Sequence, residues 1–477
     1  MDAVWSIAGH DPFTAAGIQA DLRVAWHLGA TLRTVIACFT AQNQTAMPLC
    51  EAVPDAWFNA QWQALAQVEA PRAIKLGLLA EPHILKELGA RLGSLSDCPV
   101  ICDPVLAASS GRDWGGRDLL SAYREYIFPR VSLLTPNRPE AERFLGYALD
   151  SDEALKRAGE EFRSWGVKAV LIKGGHGSGS RVVDYFDDGT RAFWLQSDRK
   201  SGSYRGTGCS LSTAIACLMA DGLSLREAVV RAHALLQGAL RTSTSIEPQF
   251  LDWTAPAAPL GRLSYQPYFP DLSFPAIDSI GFYPVVPDLA WLKRLLPTGI
   301  KTIQLRLKDK SRLLCGREIA EANALCRRAD VRLFVNDYWQ IACAEGVYGV
   351  HLGQEDLDAL SPLQIEEIRR AGLRLGLSTH SFEEAARALS LRPSYIAFGP
   401  IFATTCKSMQ FGPQGLDRIS HWKKLCAGIP LVAIGGLKLE HAAQALALGA
   451  DGVAVVSDVL AHSTPEQRTK DWLRLFP

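Results

Sequence analysis

The sequence lacks the patterns that mark membrane-spanning, secreted and zinc-binding proteins. Its eleven cysteines are odd in number, scattered and never spaced as CxxC, which argues against a zinc site or a disulfide framework and indicates reduced thiols. No uninterrupted apolar run approaches the roughly 18 residues of a membrane span. The N-terminus MDAVWSIAGHDP lacks the basic region that begins a signal peptide. We therefore expect a cytoplasmic protein with no membrane partner.

The sequence also lacks an excess of charge of either sign. Lys plus Arg number 50 and Asp plus Glu number 50, so the formal net charge is zero, which argues against a nucleic-acid partner. Hydrophobic residues make up 48% and charged residues 21%, an ordinary globular mixture that excludes disorder as the main state. A chain of 477 residues is expected to hold two or three domains. A homo-oligomer is compatible with this composition, which does not decide the oligomeric state.

Regular hydrophobic patterning stops between Thr242 and Pro275. The stretch TSTSIEPQFLDWTAPAAPLGRLSYQPYFPDLSFP is rich in proline and sustains neither a strand period nor a helix period. This composition is typical of an extended linker, while its aromatic residues indicate that it packs on something. We expect a first domain at residues 1–245, a linker at 246–275 and a second domain at 276–477.

The first domain is predicted to have an α/β fold with a parallel sheet. Near-continuous apolar runs such as VWSIAG and AVLIKGG alternate with amphipathic stretches, as in parallel sheets covered by helices on both faces. Ligands of such sheets bind beyond the carboxyl ends of the strands. The polar residues Asp103, Asn137 and Lys173 all follow predicted strands and are therefore candidate site residues.

The second domain is predicted to be a (β/α)8 TIM barrel. Eight strand candidates, from GFYPVV to GVAVVS, alternate with helix-like stretches within about 200 residues. In that fold the chemistry lies at the carboxyl ends of the strands. Polar or glycine residues occupy those positions, among them Arg306, Asp337, Ser378, Gly436 and Ser457.

The segment RGTGCSLSTAI joins a glycine-rich turn to an apolar helix. Gly206 and Gly208 allow backbone N–H groups to approach an anion, and the helix N-terminus adds its dipole. The same field is expected to lower the pKa of the Cys209 thiol. The alternative is a glycine turn beside an inert core cysteine.

Three other motifs supply groups that phosphoryl transfer requires. Asn137 and Glu140 follow a predicted strand and could hold magnesium through water, although NxxE is also typical of a simple helix start. Lys173 in KGGH is a candidate phosphate-binding cation, and Asp103 in CDPV is a nearby carboxylate. An anion hole, a metal-binding acid and a lysine are most of what phosphoryl transfer needs.

Six motifs give the first domain a family resemblance: AGHDPFTAAGIQADL, TAQN, DPVLAASSG, TPNRPEAE, LIKGGH and GTGCSLSTAI. They occur in the order of the ribokinase-like hydroxymethylpyrimidine (phosphate) kinases, which the sequence resembles over nearly all of residues 1–240. The resemblance implies a ribokinase-like fold, ATP as co-substrate and Mg2+. The implied roles are pyrimidine binding by Gln42, magnesium binding beside ATP by Asn137 and Glu140, nucleotide-phosphate binding by Lys173, and an anion hole at Gly206, Gly208 and Cys209.

Two features bear on the substrate that this resemblance implies. Vitamin B6 kinases are similar but commonly read GTGD, so Cys209 together with Gln42 favours the pyrimidine over pyridoxal. A monophosphate nucleophile needs little deprotonation, which makes a cysteine chemically tolerable there. The segment Phe13–Ala16 replaces the usual Ser-Gly-Gly-Ala of the family and is expected to narrow the pocket.

The barrel motif QLRLKD concentrates polar groups near one strand. Gln304, Arg306 and Lys308 alternate, so they are expected to lie on one strand face inside the barrel. Basic groups pointing inward are costly unless an anion meets them, and the alternative is a pair of cations that snorkel at a strand end.

Two carboxylates end neighbouring barrel strands. Asp337 and Asp356 lie in FVND and GVHLGQED and can share a magnesium ion that bridges a diphosphate. His351 lies within its strand, and we interpret it as a core residue rather than a metal ligand.

The second domain resembles thiamin phosphate synthase over about residues 280–460, on the motifs FVND, GVHLGQEDL, GLSTHS, FGPIF, VAIGG and GADGVAVVS. A departure is Cys406, where many relatives have threonine, a stronger hydrogen-bond donor. The implied roles are magnesium binding by Asp337 and Asp356; pyrophosphate neutralisation by Arg306, Lys308 and Lys407; pyrimidine contacts from Gln304 and Asn336; assistance by Ser378 and Thr404; and thiazole phosphate binding by Gly436, Val456 and Ser457.

The two resemblances together predict a bifunctional enzyme of thiamin biosynthesis. The implied kinase product, hydroxymethylpyrimidine diphosphate, is the implied synthase substrate, and thiazole phosphate is the second small-molecule partner. One alternative keeps the synthase and makes the first domain a pyridoxal-type vitamin B6 kinase. Another makes one domain a catalytically inactive ligand sensor.

Overall fold

The structure is a computed structural model that divides into two compact units, Met1–Phe269 and Pro270–Pro477. It describes residues 3–43, 46–95, 97–107, 113–175, 177, 179–202, 204–243, 251–269, 273–308, 311–403, 411–426 and 428–476. Within those ranges no helix has the length and apolar character needed to cross a membrane.

The described residues of the first unit form a ten-stranded sheet of order β10-β9-β8-β7-β6-β5-β4-β1-β2-β3. The strands are β1 Val4–His10, β2 Leu32–Ala41, β3 Leu49–Ala52, β4 Ala73–Leu76, β5 Val100–Cys102, β6 Leu133–Leu134, β7 Val170–Ile172, β8 Arg181–Asp187, β9 Ala192–Asp198 and β10 Arg262–Ser264. Strands β1, β2 and β4 to β7 are parallel, whereas β3, β8, β9 and β10 pair antiparallel.

The sheet is therefore mixed, and the expected parallel arrangement holds for its centre. The helices of this unit are α1 Gly17–His27, α2 Asp55–Ala66, α3 Pro82–Leu92, α4 Arg117–Ala122, α5 Arg138–Leu145, α6 Asp152–Ser164, α7 Thr207–Ala220 and α8 Leu225–Thr242, with a π-helical turn at Tyr123–Ile127 and a 3-10 turn at Phe128–Arg130. The antiparallel β8 and β9 follow one another without a helix, which is why they form a hairpin.

Part of the predicted linker packs on the first unit. Leu251, Trp253 and Leu260 are buried, and β10 adds to the edge of the sheet beside β9. A Cβ on Gly238 of α8 would lie 2.3 Å from the Pro256 carbonyl oxygen, so this segment passes against the helix backbone. These contacts bury Trp253 and the apolar residues around it, whereas Tyr268 stays exposed.

The second unit contains the closed barrel β11 to β18, which confirms the predicted (β/α)8 fold. Its strands are β11 Gly281–Val286, β12 Thr302–Leu305, β13 Arg332–Asn336, β14 Gly349–Leu352, β15 Arg374–Thr379, β16 Tyr395–Phe398, β17 Leu431–Ile434 and β18 Gly452–Val455. Its helices are α9 Leu289–Leu295, α10 Arg312–Arg328, α11 Trp339–Glu345, α12 Gln354–Asp358, α13 Pro362–Arg370, α14 Phe382–Leu391, α15 Arg418–Leu425, α16 Leu439–Ala447, α17 Ser457–Leu460 and α18 Pro465–Leu473, with a 3-10 turn at Leu296–Thr298.

Large inward side chains fill the barrel interior. Tyr283, Phe334 and Tyr395 belong to one buried cluster, and the Tyr395 ring is edge-on to the other two. Gly376 makes room for this packing, because a Cβ there would lie 2.1 Å from Cζ of Tyr395. The filled interior places the open, polar positions at the carboxyl ends of the strands.

Candidate active sites

A cavity of about 580 Å³ lies at the carboxyl ends of the central strands of the first unit. It is lined by Asp103 after β5, Asn137 after β6, Lys173 after β7, and Gly208 and Cys209 in the first turn of α7. The fold thus brings the phosphate-handling residues singled out from the sequence to one pocket.

An ion pair between Lys173 and Asp103 lies at the centre of this cavity. Lys173 Nζ donates to Asp103 Oδ1 over 2.6 Å, and their side chains are 14% and 3% exposed. Burial opposes the charge of Lys173, but Asp103 and Glu140 outweigh it and raise the pKa of the lysine. A Cβ on Gly208 would lie 2.8 Å from Lys173 Nζ, so glycine leaves the space that the ammonium occupies. The lysine is therefore held charged beside the start of α7.

The start of α7 has the features of an anion-binding turn. Gly206 has φ 75°, and a Cβ there would lie 2.1 Å from the Ala15 carbonyl oxygen, so the turn requires glycine. No side chain among the described residues caps this helix. The N–H groups of its first turn are thus not consumed by a side-chain cap, and they lie at the positive end of the helix dipole.

The expectation that this field lowers the pKa of Cys209 is wrong. Burial of the thiol raises its pKa to about 11, although the ammonium of Lys75 acts in the opposite direction. Desolvation of a thiolate here outweighs both the cation and the N-terminal position. Cys209 is accordingly a neutral thiol at neutral pH.

A second ion pair lies beneath the first and is fully buried. Lys75 Nζ donates to Asp21 Oδ2 over 2.8 Å, with both side chains 0% exposed. The carboxylate of Asp21 also accepts hydrogen bonds from Ser6 and Thr213 at 2.6 and 2.7 Å. Burial opposes the charge of Lys75, but Asp21 reverses the effect and raises its pKa. The pair ties α1 and α7 to the sheet and fixes a positive charge near Cys209.

Asn137 and Glu140 form a capping box at the start of α5. The Asn137 side chain accepts from the Glu140 N–H, and the Glu140 carboxylate accepts from the Asn137 N–H, both over 2.8 Å. The side chains of NxxE therefore cap the backbone N–H groups at the start of a helix, as the alternative interpretation of this motif predicted. Burial raises the pKa of Glu140 to about 7, with Lys173 opposing and Asp103 adding to the shift. An acid that resists ionisation in this way would gain from a bound cation.

Glu140→Gln should remove a pH dependence from the stability of the first unit. Because the folded pKa of about 7 lies above the ordinary 4.5, the folded state retains a proton that the unfolded state releases, and stability falls as pH rises through that interval. Glutamine stays neutral and can still accept the Asn137 N–H. We expect the variant to exceed the wild type by about 1–3 kcal/mol in unfolding free energy at pH 8, without added metal, and to approach the wild type only below the ordinary pKa of 4.5, where both states are protonated.

Denaturant unfolding at several pH values measures this effect. Glu153→Gln, on the exposed first turn of α6, is the matched control and should retain the wild-type pH profile. An equal slope in wild type and Glu140→Gln between pH 5 and 8 would contradict the assigned pKa.

The predicted pyrimidine-binding residue Gln42 lies on the wall of the same cavity. Arg205 donates to Gln42 Oε1 over 2.8 Å, which holds the amide in place. The loop after β1 closes around the Asp11 carboxylate, which accepts the N–H groups of Phe13, Ala15 and Ala16 at 2.8–3.0 Å. These bonds explain how Phe13–Ala16 forms a tight loop without the glycines of the family motif.

The barrel places two carboxylates together at the ends of β13 and β14. Asp337 and Asp356 share a hydrogen bond, and the Gly353 N–H donates to Asp356 Oδ2 over 2.8 Å. Burial, followed by the charge of Asp356, raises the pKa of Asp337 to about 6. The described residues contain no group of three or more His, Cys, Asp or Glu that could hold a metal. Two carboxylates are nevertheless a donor set that suits magnesium bound to a diphosphate.

Of Gln304, Arg306 and Lys308, which were expected at alternate positions of one strand, only Gln304 lies within β12. Strand β12 ends at Leu305, so Arg306 and Lys308 lie beyond its carboxyl end. Arg306 is half-buried, and its charge opposes the rise in the pKa of Asp337. Lys308 is exposed. The inward position is held by the amide of Gln304, which is 4% exposed. The two cations therefore lie past the end of β12, at the barrel mouth.

The remaining candidates of the barrel lie at the same end. Asn336, 7% exposed, hydrogen-bonds Asp337, and Ser378 is the penultimate residue of β15. Gly436 has φ 65°, and a Cβ there would lie 2.7 Å from the Ala403 carbonyl oxygen, so the turn after β17 requires glycine. Val456 is the N-cap residue of α17, and Ser457 is the first residue of that helix. Thr404, Cys406 and Lys407 lie outside the described residues.

Comparison with known proteins identifies both units. A family model of phosphomethylpyrimidine kinase matches residues 11–252, and one of thiamine monophosphate synthase matches residues 282–459. The chain is 45% identical to the thiamine-phosphate synthase of Rhizobium etli over 192 residues, which are 40% of this chain and 93% of that protein. It is 48% identical to the enzyme of Salmonella choleraesuis over 211 residues, 44% of this chain and 97% of that protein.

The chain belongs to both families.

It is therefore a bifunctional enzyme of thiamin biosynthesis, with a phosphomethylpyrimidine kinase unit and a thiamine-phosphate synthase unit. Enzymes of these families generally use ATP and Mg2+ and act on small molecules. The kinase unit is also similar to the pyridoxal kinase of Staphylococcus aureus solved with AMP-PCP and pyridoxal. That likeness has a TM-score of 0.50 at 26% identity and covers 55% of this chain and 98% of the other.

Several site residues were missed from the sequence. Lys75 is a lone charge in the apolar strand AIKLGLL, a signal that a buried partner exists. Tyr283 and Tyr395 occupy inward positions of barrel strands, where a buried hydroxyl requires a hydrogen-bond partner. Arg205 gives no comparable signal, because its contact with Gln42 joins residues 163 positions apart.

Proposed function

We propose that the two units catalyse consecutive steps. The kinase unit, at residues 1–245, would transfer the γ-phosphoryl group of ATP first to the alcohol of hydroxymethylpyrimidine and then to the resulting monophosphate. The synthase unit, at 276–477, would join the diphosphate to hydroxyethylthiazole phosphate, with release of pyrophosphate and formation of thiamin phosphate. Residues 246–275 connect the two.

In the kinase unit the roles follow from the charge arrangement. Lys173, held charged by Asp103, would neutralise the transferring phosphates, and the first-turn N–H groups at Gly208 and Cys209 would bind the phosphoryl oxygens. Gln42 would hydrogen-bond the pyrimidine. Because the Cys209 thiol is neutral, its contribution is positional rather than that of a thiolate base. A monophosphate oxygen needs no such base for the second transfer.

In the synthase unit the chemistry is the departure of pyrophosphate from the aminopyrimidine methylene carbon. The C–O bond breaks with both electrons going to pyrophosphate, and the thiazole nitrogen then supplies the pair that forms the new C–N bond. Arg306, Lys308 and Lys407 would stabilise the departing charge, and Thr404 and Ser378 would assist nearby. Gly436, Val456 and Ser457 would hold the thiazole phosphate. The barrel aligns both substrates, so no protein nucleophile is required.

Magnesium fits both sites on the chemistry of their donors. Asp337 and Asp356 would hold it in the synthase unit, and Glu140 with Asn137 would hold it in the kinase unit. Burial raises the pKa of both Asp337 and Glu140 despite the nearby Arg306 and Lys173, so a bound cation would favour their ionised forms. When bound, the ion supplies charge neutralisation of the phosphate oxygens.

The observation that carries this proposal is that one chain holds both family units, the product of the first being the substrate of the second. The test is to incubate the full chain with ATP, Mg2+, hydroxymethylpyrimidine and thiazole phosphate. Thiamin phosphate and pyrophosphate should form together. Their absence, with the diphosphate supplied directly, would contradict the synthase assignment.

A second candidate substrate for the kinase unit is pyridoxal, because of the likeness to a pyridoxal kinase structure. Phosphate transfer to pyridoxal and to hydroxymethylpyrimidine should be compared on the same preparation. The presence of Gln42 and Cys209 in the pocket favours the pyrimidine. A kcat/KM that is higher for pyridoxal would reverse this assignment.

A further inference from the structure

A continuous chain of hydrogen bonds crosses the interior of the synthase barrel. Gln304 Nε2 donates to Tyr283 Oη over 3.0 Å, and Tyr283 Oη lies 2.9 Å from Tyr395 Oη. Tyr395 Oη lies 2.8 Å from His351 Nδ1, and His351 Nε2 lies 2.9 Å from Ser378 Oγ. Four strands contribute besides β12, and both ends of the chain, Gln304 and Ser378, are residues of the proposed substrate site.

The middle of this chain is sealed from solvent. Tyr283 and Tyr395 are 1% and 0% exposed, and their rings lie edge to face with centroids 5.8 Å apart. The absent side chain of Gly376 leaves the space for the Tyr395 ring. His351 is 6% exposed. The links therefore connect protein groups directly, in a setting where each proton must have a defined acceptor.

The proton count gives the chain a direction. Burial raises the pKa of both Tyr283 and Tyr395, so each phenol holds its single proton. Because Gln304 donates to Tyr283, the Tyr283 proton passes to Tyr395, and the Tyr395 proton passes to Nδ1 of His351. With Nδ1 accepting, Nε2 is the ring nitrogen that carries a proton, and it donates to Ser378.

This direction fixes what the two ends present to a ligand. With the Gln304 amide N–H groups engaged by Tyr283 and also hydrogen-bonded to Tyr395, the amide oxygen Oε1 is the atom left to accept a hydrogen bond from a substrate. At the other end, Ser378 accepts from His351 and keeps its own proton to donate. A reversed chain would present an amide N–H and a hydroxyl acceptor instead.

We propose that this hydrogen-bond chain makes Tyr283, Tyr395 and His351 positioning residues, which hold the Gln304 carbonyl toward the exocyclic amino group of the aminopyrimidine diphosphate. The inference rests on the proposed function of the synthase unit and adds the basis of its substrate choice. An isolated glutamine amide can rotate to suit an amino or an oxo group. Here rotation of the Gln304 amide requires every hydrogen bond in the chain to reverse as well. The oxo oxygen of a 4-oxo pyrimidine would therefore face the Gln304 carbonyl oxygen, and two acceptors cannot hydrogen-bond each other.

The test compares the 4-amino pyrimidine diphosphate with its 4-oxo analogue in the full chain and in Tyr283→Phe and Tyr395→Phe. Wild type should prefer the amino compound by about 100-fold in kcat/KM. Tyr283→Phe, which frees the amide to rotate, should reduce this preference by about tenfold or more through KM for the pyrimidine. KM for thiazole phosphate should not change. Tyr395→Phe should shift the preference in the same direction.

Tyr348→Phe is the matched control, because Tyr348 packs edge-on against Phe334 and is not a member of the chain. It should keep the wild-type preference. An unchanged preference in both Tyr283→Phe and Tyr395→Phe, or an equal loss for the amino and oxo compounds, would overturn the positioning role. Circular dichroism identifies a variant that does not fold, in which case the other variant decides.

Calorimetric binding of the two diphosphates separates this inference from the proposed function. Loss of the binding preference in the variants supports the positioning role of the hydrogen-bond chain, whether or not thiamin phosphate forms. Failure of wild type to form thiamin phosphate from the amino diphosphate would instead count against the synthase function itself.

Discussion

Asp337→Ala is expected to eliminate thiamin phosphate formation, with a fall of about 10³-fold or more in kcat at saturating Mg2+. Asp337 and Asp356 form the carboxylate pair at the barrel mouth. Magnesium bound to a diphosphate uses one or two protein carboxylates, so the variant loses half of the proposed protein ligands. The kinase reaction of the same preparation should be unchanged. Pyrophosphate release from the preformed diphosphate, with thiazole phosphate present, measures the loss.

Backbone strain must be separated from loss of charge in this experiment. Asp337 has φ 68°, a left-handed conformation that asparagine tolerates better than alanine. Asp337→Asn should therefore keep the fold and still lose most of the synthase activity. Glu355→Ala, an exposed acid beside Asp356, is the matched control and should remain active. Synthase turnover retained by Asp337→Asn would remove the metal assignment.

Lys173→Met should lower kcat/KM of the kinase by about 10²- to 10³-fold and leave the synthase unit active. The ammonium of Lys173 is the cation that lies beside the first turn of α7, held there by Asp103 at 2.6 Å. Removing it also leaves the buried Asp103 carboxylate unpaired, which should cost about 3–5 kcal/mol of stability. Transfer of phosphate from ATP to hydroxymethylpyrimidine measures the activity, and denaturant unfolding measures the stability.

The double variant Lys173→Met/Asp103→Asn distinguishes the two effects. Neutralising Asp103 should recover most of the lost stability without restoring phosphate transfer. Lys168→Met, at an exposed position near β7, is the control and should match wild type in both measurements. Recovery of kinase activity together with stability in the double variant would show that Lys173 acts on folding alone.

The sequence predicted the barrel more completely than the sheet. All eight predicted barrel strands are confirmed. Each is an apolar run that a helix-like stretch separates from the next, so the pattern is visible in the local sequence. In the first unit, the strands β3 and β10, which lie at the two edges of the sheet, were missed, since their sequences LCEA and RLS are not apolar runs. Short edge strands gain their stability from pairing with a neighbour, which a local pattern does not contain.

Within the sites, residue types were predicted better than their environments. Lys173, Asp103 and Asn137 meet in one cavity, as their positions after strands suggested. The thiol of Cys209 nevertheless has a raised pKa, because the desolvation that determines it comes from burial rather than from the motif. The same holds for Arg306. The sequence pattern places it in the same strand as Gln304, but the pattern does not show that β12 ends at Leu305, one residue before it.

The order of residues by itself determined which chemical groups reach the carboxyl ends of the strands and which families the chain joins, because strand ends and glycine turns are local. Only the tertiary structure decided which of these groups are buried and which partners they pair with. The reason is that these properties depend on solvent exclusion and on partners such as Asp21 and Lys75, 54 positions apart, whose energies are set by distance in space.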